Sequence, residues 1–211
     1  MSALTYPDII PIFPLGGTIL LPQAVLPLHI FEPRYKQMVE KAMERDSFIG
    51  MLQPVGEEGE EVHTIGCLGK IEQFQQLPNS NYLVQLHGVL RFMLVGELNV
   101  DTMYRQAQVD YSPFLVDLDE PRPPEKFEDL QRAFREYVEK KQLQIEWDKI
   151  ENIPSHFLVN ILCMNLDFSG LEKQALLESP DLGARMENLV TLMEMAVAED
   201  PHDDSFSYQL N

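Results

Sequence analysis

The sequence has little of what disulfide frameworks, metal sites and membrane spans require. Its two cysteines, Cys67 and Cys163, lie far apart among apolar residues, which favours buried reduced thiols over a disulfide or a set of metal ligands. No apolar run approaches the roughly 20 residues that cross a bilayer. The opening MSALTYPDII contains neither a basic n-region nor a long apolar h-region. We therefore predict a cytoplasmic protein with no membrane partner.

Basic residues are also scarce. The 211 residues include 16 lysines and arginines against 34 acids, which is a formal net charge of -18 at pH 7. A strongly acidic chain repels phosphate backbones and anionic lipid surfaces at long range, and no basic stripe stands out in the sequence. We therefore predict no nucleic-acid partner.

Motifs for nucleotide hydrolysis and for common hydrolytic chemistry are absent from the sequence. A phosphate-binding loop needs a G-x-x-x-x-G-K-[ST] run, but Gly69-Lys70 is followed by Ile71, and Thr64 occupies the position of the first glycine. The sequence has no H-E-x-x-H, G-x-S-x-G or C-x-x-C motif, and its five histidines show no ligand spacing. We predict no catalytic residue, cofactor or metal, although an enzyme site built from distant residues stays an alternative.

Two acidic stretches could be interpreted as cation sites. They are the loop with Glu57, Glu58, Glu60 and Glu61, and the tail with His202, Asp203 and Asp204. Gly-spaced runs of like charge are more often solvated surface, and the acidic, polar composition of residues 200–211 predicts disorder. We therefore favour solvated segments over metal sites.

Prolines and glycines divide the apolar stretch 12–35, IFPLGGTILLPQAVLPLHIFEPRY, into short extended pieces. Each proline fixes φ, removes a backbone donor and biases the preceding residue towards extended geometry, which predicts strands at Ile12-Phe13 and Val25 to Phe31. We expect Pro27 to lie at a sheet edge or a bulge. Pro33 suits the first position of a helix.

Further short strands with turn signals between them follow this helix. The expected strands are 48–52, 65–74, 82–86, 89–95 and about 105–111, with Gly88 breaking the pattern between the third and the fourth. Close spacing of short strands favours a small, partly closed barrel over a parallel sheet. Arg91 lies amid apolar neighbours, so we expect its stem to pack on the barrel and its head to pair with a carboxylate or carbonyls.

The hydrophobic period changes from two residues to between three and four after the proline-rich segment 114–124. This change predicts a linker followed by helices. Ser169 and Glu172 form a capping-box pattern before one of them, and Ser179-Pro180-Asp181 precedes the last. Two apolar stripes at helical spacing are Phe127, Leu130, Phe134, Tyr137 and Val138, and Phe157, Leu158, Ile161 and Leu162.

Five segments resemble one protein family in order and spacing. They are FPL…LLP…LPLHIFEPRY, IGCLGKIEQF, YLVQLHGVLRFMLVGEL, YRQAQVDY and LEKQALLESPDLGARMENLVTLMEMA. Together they are similar to the N-terminal substrate-binding domain of Lon-type ATP-dependent proteases, over roughly Ile10 to Ala198.

The resemblance implies an α+β fold. It consists of a small antiparallel or mixed β-barrel with an inserted helix, like the pseudouridine-synthase-and-archaeosine-transglycosylase (PUA) class, followed by a C-terminal helical bundle. We expect the PUA-like barrel at 8–113, a linker at 114–124, the helical part at 125–199 and a disordered acidic tail at 200–211. Residues 8–199 would form the whole Lon N-terminal-type domain.

The resemblance also implies a non-catalytic, stand-alone protein. It would bind unfolded or apolar polypeptide segments, or act as an adaptor or regulator in protein quality control, with a Lon-type protease as a further candidate partner. Phe31, Arg34 and Tyr35 are the candidate polypeptide-binding residues, provided that their side chains face outwards. The alternative is RNA binding, which occurs among PUA-like barrels, but the net charge of -18 disfavours it.

Overall fold

The computed structural model describes residues 6–56 and 61–198, which form two compact units. The first unit contains the described residues up to Pro121 together with Asn160–Glu178. The second contains Arg122–Val159 and the described residues from Ser179 onwards. The domain boundaries expected from the sequence stay a prediction.

Two of the expectations concern residues outside the described ranges. They are the acidic loop, of which Glu57, Glu58 and Glu60 are not described, and the tail 200–211. Within the described ranges, no helix has both the length and the apolar character that a bilayer span requires.

A closed β-barrel lies at the centre of the first unit. Its strands are β1 (Ile9–Pro14), β2 (Val25–Ile30), β3 (Phe48–Leu52), β4 (Ile65–Gln76), β5 (Tyr82–Glu97) and β6 (Arg105–Asp110). The hydrogen-bonded order is β2-β5-β4-β3-β1-β6, and pairing of β6 with β5 closes five of these strands into a ring. β1 and β3 pair in parallel and the other pairs are antiparallel. The expected mixed barrel is confirmed, and β2 lies at its edge, which is where Pro27 was expected.

The inserted helix α1 (Pro33–Met43) begins at the predicted proline. Glu32 before it is extended, with φ -71° and ψ 135°, as a residue that precedes proline prefers. The helix buries Tyr35, Met38, Val39 and Ala42, one face at helical spacing. The barrel interior is filled by Ile10, Ile12, Phe48, Leu52, Leu68, Leu90, Phe92, Ala107 and Val109.

Gly88 does not end a strand, contrary to the expectation from the sequence. β5 continues through it from Tyr82 to Glu97. A Cβ atom on Gly88 would lie 2.0 Å from the Leu21 carbonyl oxygen, so glycine is required by the close approach of the chain before β2. The Gly88 N–H donates to the Ala24 carbonyl at 2.8 Å, which ties that segment to the barrel.

Arg91 is almost fully buried, with 1% of its surface exposed. Its guanidinium donates to both carboxylate oxygens of Asp117, at 2.9 and 2.8 Å, and to the Leu177 carbonyl at 3.1 Å. Asp117 belongs to a short 3-10 helix, Ser112–Leu118, and Leu177 to α5 (Gly170–Glu178). The expected pairing of the Arg91 head with a carboxylate and a carbonyl is confirmed.

Two further side chains attach α5 within the first unit. The Gln174 amide donates to the Ile65 carbonyl at 3.0 Å and receives a hydrogen bond from Gln53 at 3.2 Å.

The Ser169 N–H donates to the Glu172 carboxylate at 2.7 Å, and the Glu172 N–H donates to the Ser169 hydroxyl at 3.3 Å. The predicted capping box is therefore present at the start of α5.

The second unit consists of helices. They are α2 (Phe127–Lys140), α3 (Trp147–Ile150), the first residues of α4 (Ser155–Asn165), and α6 (Leu182–Ala198). α2 packs against α6 and buries Leu130, Phe134, Tyr137 and Val138 of the predicted stripe.

The second predicted stripe was wrong in part. Phe157 and Ile161 are 38% and 41% exposed, whereas Leu158 and Leu162 are buried, together with Val159 and Cys163. α4 is apolar on most of its circumference, so spacing alone did not identify its buried face. Both cysteines are buried and are not joined in a disulfide, as expected.

Candidate functional site

An open groove of about 320 Å³ lies along β2 in the first unit, and we call it the β2 groove. Its lining comes from the end of β1, the loop after it, β2 and the start of α1. The lining residues are Phe13, Leu15, Thr18, Leu26, Pro27, Leu28, His29, Ile30, Phe31, Glu32 and Tyr35. The groove is therefore mainly apolar, with one carboxylate at the start of α1.

Tyr35 forms a fixed wall of the β2 groove. Its side chain is 8% exposed, its ring lies 4.1 Å from the Phe13 ring, and its hydroxyl is 3.5 Å from the Pro14 carbonyl oxygen. Burial raises the pKa of the Tyr35 hydroxyl, and the nearby Arg34 guanidinium lowers it by a smaller amount. The Tyr35 hydroxyl thus stays neutral at physiological pH, and the side chain presents its apolar ring to the groove.

Phe31 is the exposed counterpart of Tyr35. It directly follows β2, lines the β2 groove and is 59% exposed. Phe31 therefore presents a large aromatic surface to solvent beside a half-exposed apolar strand. Its ring centroid lies 5.8 Å from that of His29, whose Nε2 is 3.3 Å from the Asn81 side-chain nitrogen.

Arg34 flanks the groove without lining it. Its guanidinium pairs with the Glu32 carboxylate at 2.8 Å and lies 4.6 Å above the Tyr35 ring. The side chains of Arg34 and Glu32 are 53% and 40% exposed, so both reach solvent at the same end of β2. The structure brings the three candidates, Phe31, Arg34 and Tyr35, to one end of the groove, and their role in binding stays a prediction.

The other apolar lining residues were not identified from the sequence. Phe13 and Leu15 come from the end of β1 and the loop after it, and Leu26 and Leu28 come from β2 itself. The two-residue spacing of Leu26 and Leu28 in the predicted strand was a usable signal, and in the structure both are half-buried while Val25 and His29 are exposed. The approach of β1 to β2 had no such signal, since it depends on how the barrel closes.

The described residues contain no group of three or more histidine, cysteine, aspartate or glutamate side chains that could hold a metal ion. The charged groups beside the groove are instead paired with each other. The Tyr82 hydroxyl, one strand away, donates to the Glu40 carboxylate of α1. The mainly apolar lining of the groove is suited to an apolar ligand.

Comparison with known families and structures identifies the fold. Residues 9–195 match the family model described as the ATP-dependent protease La (LON) substrate-binding domain. The chain is 28% identical over 196 residues to Lon protease 2 of Myxococcus xanthus and 28% identical over 207 residues to the Lon protease of Flavobacterium johnsoniae. These alignments cover 89% and 90% of the chain, and the chain spans 24% of each relative.

Two solved structures share the architecture. The Lon N-terminal domain protein from Xanthomonas campestris has a TM-score of 0.59 at 22% identity, with 87% of this chain and 97% of that one covered. The N-terminal domain of the Mycobacterium avium complex Lon protease has a TM-score of 0.64 at 14% identity, with 88% and 98% covered. The chain belongs to the Lon substrate-binding domain family.

Proposed function

We propose that this chain binds unfolded or apolar polypeptide segments in the β2 groove and catalyses no reaction itself. In this proposal it acts as an adaptor or regulator of protein quality control in the cytoplasm, with a Lon-type protease as a candidate partner. Membership of a substrate-binding family supports binding of protein segments.

The observation that carries the proposal is an open apolar groove with an exposed aromatic residue at one end. Its volume of about 320 Å³ falls within the range of about 300 to 1,000 Å³ that is usual for ligand sites. The rings of Phe13 and Tyr35 pack against each other with centroids 4.1 Å apart, which supports a groove that is formed before a ligand arrives. Phe31 can fold over a bound apolar side chain because 59% of its surface is still free.

Titration with a permanently unfolded model protein and with short apolar peptides tests the proposal. We expect saturable binding at micromolar concentrations, measured by fluorescence anisotropy of a labelled ligand. Phe31→Ala should weaken binding by about tenfold, or about 1.4 kcal/mol, because large aromatic residues are enriched among the interface positions whose truncation costs more than about 1 kcal/mol.

A matched control is Leu115→Ala. Leu115 is 57% exposed, similar to Phe31, but it lies in the 3-10 helix and does not line the groove. Its variant should bind within about twofold of the parent, as expected for a contact outside the interface. Absence of saturable binding in the parent would refute the proposal. Equal losses of affinity in Phe31→Ala and Leu115→Ala would exclude the β2 groove as the binding site.

A further inference from the structure

One hydrogen bond to β5 determines which backbone groups of β2 face β5 and which face away from it. The Gly88 N–H donates to the Ala24 carbonyl at 2.8 Å, and β2 continues in the same antiparallel register along β5 without a shift. Hydrogen-bonded pairs alternate along such a ladder, so the backbone groups of Leu26, Leu28 and Ile30 point towards β5. Those of Val25, Pro27 and His29 point the other way.

That other edge is available for pairing. Among the described residues, β5 is the only strand that pairs with β2. The edge therefore offers the N–H groups of Val25 and His29, and the carbonyls of Val25, Pro27 and His29. Unpaired strand edges of this kind accept an added strand, and Pro27 withholds one donor in the middle. The missing donor limits how tightly any strand can add.

The β2 groove runs beside this edge, with Leu26 and Leu28 half-buried along it. Side chains of an added strand alternate between the two faces of the sheet. Every second side chain of such a strand would therefore enter the apolar space next to Phe13 and Tyr35. Backbone pairing would supply affinity for many sequences, and the groove would select apolar residues at alternate positions.

Acidic groups lie at both ends of β2. Glu32 lies two residues after Ile30, is 40% exposed and pairs with the Arg34 guanidinium at 2.8 Å. At the other end Val25 pairs with His87, and the Glu72 carboxylate, 54% exposed, lies 3.9 Å from the His87 ring. Because Arg34 already pairs with Glu32, the attraction comes mainly from the formal chain charge of -18, which favours a segment with basic residues on both flanks. The same charge opposes a second copy of this chain at the edge.

We propose that β2 is an acceptor strand: an extended apolar segment with basic flanks adds to its free edge and places alternate side chains in the β2 groove. The proposal rests on the proposed function and specifies its ligand. It makes binding depend on backbone hydrogen bonds at one edge, which a purely hydrophobic contact surface would not require.

N-methylated peptides test the backbone pairing. The probes are lysine-flanked peptides of about eight residues, long enough to cover the six residues of β2, with apolar residues at alternate positions. One series carries N-methyl groups on the even residues and the other on the odd residues. Only one set of amides can donate to β2, so one series should lose about tenfold in affinity and the other should bind within about threefold of the parent peptide.

Two further arms test the charge and the edge. Glutamate flanks in place of lysine should weaken binding by about tenfold at low salt, and the difference should shrink as salt increases. His29→Pro removes an edge N–H without touching the ladder to β5, since Pro27 already occupies an equivalent position two residues away. It should bind peptide at least about fivefold more weakly than His29→Ala, which loses the same groove-lining side chain but keeps the N–H.

The outcomes separate this inference from the proposed function. Strand addition would be overturned if the two methylated series bound equally and if His29→Pro bound peptide as tightly as His29→Ala. Polypeptide binding would stay in place if unfolded protein were still bound. Binding of no peptide and no unfolded protein would overturn both. A dimer that His29→Pro dissociates would assign the edge to a second copy and overturn the proposal. If His29→Pro fails to fold, the methylated peptides alone decide.

Discussion

Replacing Asp117 by asparagine should destabilise the barrel far more than loss of an exposed carboxylate would. Asp117 accepts three hydrogen bonds from Arg91: one from the backbone N–H at 2.9 Å and two from the guanidinium at 2.9 and 2.8 Å. The side chains of Arg91 and Asp117 are 1% and 7% exposed. The variant would leave a buried guanidinium without its counter-charge.

Removing one partner of a buried ion pair commonly costs about 3 to 5 kcal/mol, because the remaining charge has lost its solvent and its partner. Arg91 keeps its contacts with the Leu177 carbonyl at 3.1 Å and with the face of the Phe114 ring at 4.7 Å. Asparagine also retains one acceptor oxygen. We therefore expect the lower end of that range, about 3 kcal/mol.

Native-state hydrogen exchange, resolved by mass spectrometry over β5, measures the free energy of opening the barrel itself. This assay is preferable to a single urea transition because the chain contains two compact units. The control is Glu44→Gln in the same unit, which removes an equally close acid: Glu44 lies 2.8 Å from Lys41, but it is 62% exposed. That variant should change stability by less than about 0.5 kcal/mol.

A double variant, Arg91→Met with Asp117→Leu, distinguishes an unpaired charge from lost packing. Apolar replacement of a buried pair is often neutral or stabilising, so the double variant should recover most of the stability that Asp117→Asn loses. A cost for Asp117→Asn below about 1 kcal/mol, or no recovery in the double variant, would refute the reasoning.

Three more predictions concern single positions. Gly88→Ala should lower stability by more than about 2 kcal/mol in urea unfolding, because its Cβ would lie 2.0 Å from the Leu21 carbonyl oxygen. Gly96→Ala in the same strand is the control: it has no atom within 4 Å of its Cβ and should cost less than about 1 kcal/mol. Burial raises the pKa of Tyr111 above its usual 10.0. The stability that this shift contributes is complete below pH 10 and is lost as pH rises from there towards the folded-state pKa. Tyr111→Phe should therefore lose less stability than the parent between pH 8 and pH 11 in urea unfolding. Ser169→Ala removes the hydroxyl that caps α5 and should cost about 1 kcal/mol by the same measurement.

Much of the fold could be predicted because its signals are local. The start of α1 at Pro33 follows from the fixed φ of proline and its missing donor, and the capping box at Ser169 follows from residues three apart. Strand β3 agreed with its predicted bounds of 48–52, since all five of its residues are buried and form an uninterrupted apolar run.

The candidate site was predicted only in part. Phe31 and Tyr35 line the β2 groove, and Arg34 contacts Glu32 and Tyr35, which do. Phe13 and Leu15 were missed because their position beside β2 depends on closure of the barrel by β6 and β5, a contact between residues far apart in the chain.

The sequence by itself determined the element types, the apolar faces of most strands and helices, and the proline that leaves β2 at an edge. These features depend on φ, on backbone donors and on spacing within a few residues. Tertiary structure alone decided that β5 passes through Gly88, that Arg91 meets Asp117 and Leu177, and that α4 buries Val159 instead of Phe157. Each of these depends on which distant atoms share a space, and neither periodicity nor composition contains that information.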